Sequence, residues 1–393
     1  PALDALANSG VIYRRAYNQN VVCQPARATM LTGLYPRTHG VTTNGRRYPT
    51  DDPTFAHVLN DAGYRTALLG KAHFDPVLTT EFFENTMAAR GVNGPNRGFE
   101  YMECMFHSGR AGLNVLHYPK WLEDNYPDEI ACYLPLFNYG SRTISTYRGG
   151  ETRAVQVKHN PIPRAHYHTD WVADRTIAFM DTLSEDEDWF VWMSFPDPHH
   201  PWDPPMSEIG RVNWRDHDLP PGCPGSPEKA VEILSGKPRH WLEWYEGRDQ
   251  FAYEVPRTFI PREMTNDQVR EINGMTHIEN ELIDEAVDRV MGYIDGRGWG
   301  ADTDVIFTTD HGELQGDYGL LFKGPYHTDA LMRVPMFWRP APSVGGTPAV
   351  LNDPVGHVDL AATFCAIAGI EVPEWYQGPP LPTAAGSGRE RIL

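Results

Sequence analysis

Apolar positions in this chain alternate between short continuous runs and stretches with helical spacing, the pattern of strands and helices taken in turn. Residues 3–9 read as a short helix and residues 10–13 open a strand-like run; residues 18–22 then lead into Cys23, and 26–34 can form a helix. A second pair follows, with a helix over 54–62 stopped at Gly63 and a buried strand over 65–69 before Gly70 and Lys71. Further along, the spacing predicts a helix at 171–183, a strand at 189–195, a Pro- and His-rich loop at 196–205, a long amphipathic helix at 267–295 and a strand at 304–308. This alternation predicts α/β architecture with parallel strands. Periodicity fades over about 76–163 and again over the Trp-rich 206–261, and both stretches are expected to be irregular insertions carrying substrate-side loops. Residues 1–393 are expected to form one catalytic domain, with polypeptide continuing beyond both ends because the chain opens on Pro1 and closes without a terminating element.

Charge narrows the chemistry. Lys and Arg total 34 against 52 Asp and Glu, a formal net charge of -18 that repels nucleic acid and anionic membrane outside any local basic site. Neither is an expected partner, and no apolar run approaches the roughly 18–20 residues that span a bilayer. An acidic chain still binds an anionic substrate where a metal and a few cationic side chains converge. Cys23, Cys104, Cys132, Cys223 and Cys365 are scattered without a CxxC pair, so no disulfide framework is expected. With no charged-then-apolar leader at its start, the chain is expected to be cytoplasmic.

The first informative stretch is Cys23-Gln24-Pro25-Ala26-Arg27, followed by Thr32-Gly33. A lone cysteine reads as a buried apolar side chain. Pro25, however, suits a first helical turn, which would set Cys23 where backbone N–H groups and the helix dipole favour an anion, with Arg27 one turn along. That arrangement suits a nucleophile facing sulfate or phosphate. The stretch Thr308-Thr309-Asp310-His311-Gly312-Glu313 follows a strand directly; alone it reads as a capped turn. Lys71, His73, His199 and Lys323, each taken singly, read as solvated or hydrogen-bonded side chains.

Taken together and in order, these segments resemble the type I, formylglycine-dependent sulfatases of the alkaline-phosphatase-like superfamily, close to the phosphonate monoester hydrolase branch. The matching elements are Cys-x-Pro-x-Arg with Thr-Gly, the G-K-x-H of Gly70-Lys71-Ala72-His73, the P-H-x-P of Pro198-His199-His200-Pro201, the pair Asp310-His311, and Lys323 beyond it. Ala26 stands where many relatives carry Ser. The resemblance covers nearly the whole chain outside the two irregular stretches. It implies an α/β sandwich whose mixed, mostly parallel sheet is flanked by helices, with the active site at the strand ends and with the fold's first strand missing ahead of Pro1.

The same resemblance implies the chemistry. A formylglycine-generating enzyme would convert Cys23 to formylglycine, whose hydrated aldehyde attacks sulfur and later expels sulfate. Asp310, His311 and the diol from Cys23 would hold one divalent metal as a Lewis acid; oxygen donors suit calcium, with magnesium or manganese open. Further Asp ligands would come from the strand ahead of Pro1. Arg27, Lys71 and Lys323 would neutralise charge on the nonbridging oxygens, His199 would protonate the leaving alcohol, and His73 would assist collapse of the intermediate. Asn44 falls near the diol, and His200 competes with His199 for its role or contacts substrate. Glu313, Arg333-Val334-Pro335 and His357-Val358-Asp359-Leu360 read as framework.

The expected reaction is hydrolysis of a small-molecule sulfate monoester. One rival is a phosphonate monoester or phosphodiester hydrolase on the same site; Lys71 and His73 argue for sulfate. Another is a non-catalytic binding protein on this scaffold, motivated by the missing first strand. Trp121, Tyr133, Phe137, Tyr139, Trp202, Trp214, Trp241 and Trp244 either form an aryl or sugar pocket or pack the insertions, with packing the default. Neither the leaving alcohol nor the oligomeric state is legible.

Overall fold

The computed structural model describes residues 1–76, 80–106, 116–129, 148–249, 258–386 and 389–392. The apolar run Arg65–Lys71 is a strand buried from Thr66 onward on both faces, as a central parallel strand must be. It pairs in parallel with Tyr101–Met105 on one side and Trp189–Ser194 on the other. Successive side chains of a strand point to opposite faces. Ala67 and Leu69 accordingly pack with Ala173 of helix His168–Met180 and with Ala286, Val290 and Ile294 of helix Asn266–Gly296. Leu68 packs the other way, with Phe55 and Leu59 of helix Phe55–Asp61 and with Phe364 of helix Leu360–Ile367.

A second sheet has four strands in the order Ala349–Leu351, Val11–Tyr13, Met336–Arg339, Val305–Thr308, the first pair parallel and the other two antiparallel. The expected mixed α/β architecture is therefore present, with helices on both faces. Among the described residues the strands divide into these two larger sheets and two small two-stranded ones, Ala16–Tyr17 with Val355–Gly356 and Arg148–Gly149 with Ala154–Val155, rather than one sheet. Trp189–Ser194 and Val305–Thr308 are edge strands of the two larger sheets, and both stay half-buried along most of their length.

Local chemistry explains where elements start. The long helix opens on a capping box, Thr265 accepting from the Gln268 backbone N–H while the Gln268 side chain accepts from Thr265 N. Helix Phe55–Asp61 is capped by the Thr54 hydroxyl. Two expected boundaries move. Helix His168–Met180 begins three residues before residue 171, and the helix expected from residue 26 is Cys23–Thr32.

The stretch 76–163 is not simply an insertion. It contributes Tyr101–Met105, a strand of the parallel sheet, and helix His117–Asn125. Glu103, buried in the middle of that strand, interrupts the apolar run and hid it from a periodicity reading. The stretch 206–261 holds helices Pro227–Ser235 and Arg239–Tyr245. Trp202, Trp214, Trp241 and Trp244 are buried, and Trp121 lies against Tyr118 and Tyr126, so these aromatics pack the irregular stretches. Tyr133, Phe137, Tyr139 and Cys132 lie outside the described residues. No described helix is long and apolar enough to cross a membrane.

Candidate active site

Three strand ends and one helix start meet at a single point. Helix Cys23–Thr32 begins at Cys23 itself, so the thiol stands in the first turn, where unpaired N–H groups favour an anion. Val22, ahead of it, offers no side-chain cap; instead Asn44 Oδ1 accepts from Gln24 N at 2.9 Å. Asn44 thus touches the helix start at the residue after Cys23.

Lys71 ends its strand with Nζ 3.6 Å from Cys23 Sγ. The strand reaches this point because residue 70 is glycine: at its φ of +109°, a Cβ would lie 1.9 Å from Ser194 O. Asp310 and His311 follow Val305–Thr308, and Gly312 after them is just as tightly placed, a Cβ there falling 1.8 Å from Ala330 O. Arg27 ties these ends together. Its Nε donates to Asp310 Oδ2 at 2.8 Å, and its Nη1 donates to Lys71 O at 2.5 Å and Ser194 Oγ at 3.0 Å. Ser194 was not singled out from the sequence; a lone serine at a strand end carries no motif.

His311 Nδ1 lies 2.8 Å from Gly312 O, which makes it the donor and leaves Nε2, 3.0 Å from Cys23 Sγ, as the ligating nitrogen. On the far side, Lys323 Nζ lies 2.7 Å from His199 Nε2, and His199 Nδ1 lies against the His200 carbonyl. Glu313 stands 3.9 Å from Lys323 Nζ and 3.7 Å from His200 Nδ1. His73, buried beside Phe106, lies close enough to Cys23 for the two groups to act on each other's charge. All ten residues singled out from the motifs are therefore brought to one place. His357, expected as framework, supports it from behind through Thr309 O at 2.9 Å.

Burial pushes the Cys23 thiol up, but Lys71, His311 and Lys323 outweigh it and hold the group well below the ordinary thiol range. Burial likewise opposes ionisation of Asp310, yet His311, Arg27 and Lys71 hold its carboxyl well below the usual range. For His199 the effects add: burial first, then Lys323, His200 and Lys71, drive its pKa well down, so the imidazole is neutral.

Cys23, Asp310 and His311 offer ligand atoms within 4.8 Å of one another, among the described residues the one such group able to hold a metal ion. The donor set fits a divalent cation in part. A carboxylate and an oriented imidazole are normal ligands, but a hard cation takes about six or more donors.

The family model described as Sulfatase matches residues 1–370. The chain belongs to the sulfatase family. It is 28% identical over 383 residues to "Uncharacterized sulfatase YidJ" of Escherichia coli (strain K12), covering 96% of this chain and 64% of that protein. It is 26% identical over 388 residues to an arylsulfatase of Clostridium perfringens, covering 96% of this chain and 71% of that protein. The chain thus spans less than two thirds of the length of the E. coli sulfatase. Among solved structures, the phosphonate monoester hydrolase of Silicibacter pomeroyi superposes with a TM-score of 0.73 at 23% identity, over 97% of this chain and 70% of that one. This likeness establishes the alkaline-phosphatase-like fold.

Proposed function

We propose that this sulfatase-family protein hydrolyses small-molecule sulfate monoesters with a nucleophile derived from Cys23. The observation that carries the reading is the setting of Cys23: a helix start, ringed by Lys71, His73 and His311, opposite the Lys323–His199 pair. Formylglycine at position 23, installed by a formylglycine-generating enzyme, would supply a hydrated aldehyde, and a divalent cation on Asp310 and His311, calcium first and magnesium or manganese next, would supply Lewis acidity.

The chain's own side chains do the rest. The helix N-terminus and the ammonium groups of Lys71 and Lys323 neutralise charge on the nonbridging oxygens. Arg27 is committed to Asp310, Lys71 O and Ser194, so its part is to keep Asp310 ionised and the strand ends aligned. The proton for the leaving oxygen lies between Lys323 Nζ and His199 Nε2, because His199 Nδ1 is spent on the His200 carbonyl. The pair, rather than His199 alone, is the general acid. His73, lowered by burial, is neutral and can take a proton from the group at position 23.

A second reading, phosphonate monoester or phosphodiester hydrolysis, has the same cations to draw on and the shared fold with a phosphonate monoester hydrolase in its favour. Aryl sulfate and phenyl phosphonate esters assayed in parallel on protein co-produced with a formylglycine-generating enzyme separate the two. The proposal expects the higher kcat/KM for sulfate and loss of turnover on Cys23→Ala. A phosphonate preference of orders of magnitude would overturn it.

A further inference from the structure

His73 is one of the few non-glycine residues with a left-handed backbone, at φ 58°, and it is almost fully buried. Such a conformation persists only where the surroundings hold it. Two holds are visible. On one side, Glu84 Oε2 accepts from both Phe74 N at 3.1 Å and Asp75 N at 3.2 Å, the two backbone N–H groups that follow His73. On the other, Phe74 O accepts from Gln24 Nε2 at 2.9 Å, and Gln24 adjoins Cys23.

Glu84 is itself buried, at 3% exposure, in the short turn Glu84–Thr86. Arg97 approaches its carboxylate at 3.6 Å while giving Nη2 to Asp75 Oδ1 and to Tyr48 O, both at 2.6 Å. A carboxylate and an arginine kept this deep in a protein demand a compensating task or full pairing. Here both close on the same three-residue turn.

We propose that Glu84 is a positioning residue: its carboxylate grips the backbone after His73 and so aims that imidazole at the group on position 23. The inference rests on the reading of Cys23 as the source of the nucleophile, and it extends the machinery to a residue that touches neither substrate nor metal. Glu84→Gln keeps one oxygen acceptor in place. Glu84→Asp keeps the charge but draws the oxygen back by one methylene. Glu84→Leu removes the acceptor.

The test is a double-mutant cycle with His73→Ala in converted protein, reading kcat and KM separately. The expected result is near-wild-type kcat for Glu84→Gln. Glu84→Asp and Glu84→Leu should each lose about 10- to 100-fold in kcat with little change in KM, as misplacement of a catalytic group does. In the His73→Ala background neither should cost anything further. An equal loss in both backgrounds, or no loss from either variant, would overturn the proposal. A second measurement needs no turnover: the imidazole ring-proton NMR signals of unconverted protein. The His73 signal, assigned by its absence in His73→Ala, should move in Glu84→Asp while that of His39 stays fixed. An unmoved His73 signal refutes the positioning role. Failure of the sulfatase reading shows up differently, as absence of turnover in the parent protein.

Discussion

The hydrogen shared by Lys323 and His199 sets what each residue can do. Lys323 donates across 2.7 Å to His199 Nε2, the nitrogen the proposed function sets toward the leaving oxygen, and the imidazole's other nitrogen is already engaged. The pair should therefore behave as one acid. His199→Ala should lower kcat by about 10²–10⁴-fold for an alkyl sulfate and by far less for an aryl sulfate whose phenol is a good leaving group; Lys323→Ala should show the same difference between the esters on top of a loss common to both, from its charge at the nonbridging oxygens. The double variant should be little worse than the poorer single one. Equal losses across leaving groups, read from kcat on a graded ester series, would contradict the assignment. At this scale the motifs told most of the story, because Cys23, Arg27, Lys71, His73, His199, Asp310, His311 and Lys323 carry unusual chemistry at fixed spacing. Ser194, Gln24 and Glu84 escaped notice for the opposite reason. They are common polar residues whose importance lies in which backbone atoms they meet, Lys71 O for Ser194, Phe74 O for Gln24 and Phe74 N for Glu84, and that is set by folding, not by neighbours in sequence.

Among elements, the strand Arg65–Lys71 matters most, since it delivers Lys71 and packs against strands on both sides. Gly70 lets it do so. Gly70→Ala would drive a methyl group into the Ser194 carbonyl and strain a positive φ, costing about 3 kcal/mol or more when the overpacking and backbone terms are combined. Urea unfolding should show that loss, with activity falling further because Ser194 and Lys71 O share the Arg27 guanidinium. A fully stable, active variant would contradict the geometry. Elements with clean periods were legible: helix Asn266–Gly296 and strand Val305–Thr308 lie within a residue of their expected bounds. Tyr101–Met105 was not, because a strand of five residues with Glu103 at its centre gives no alternation to read. The start of helix Cys23–Thr32 was half legible: Pro25 pointed to a first turn beside Cys23, but the cap, a hydrogen bond from Gln24 N to the side-chain oxygen of distant Asn44, left no local signal.

For the whole molecule, the net charge of -18 and the cationic site are compatible because burial decouples them. Arg27, Lys71 and Lys323 are each at most 6% exposed, so their charges act in a low-dielectric pocket while the acidic surface is screened by salt. The order of motifs along the chain fixed the family correctly, as the match over residues 1–370 shows. Composition alone argued against nucleic acid and anionic membrane as partners but named no chemistry. The central claim, that Cys23 is the source of the nucleophile, is tested most directly by mass spectrometry of the tryptic peptide spanning residues 16–27. The protein should come from its native host or from cells carrying a formylglycine-generating enzyme. The account predicts a peptide carrying an aldehyde at position 23, trapped as its hydrazone. A fully unmodified thiol under those conditions would contradict it.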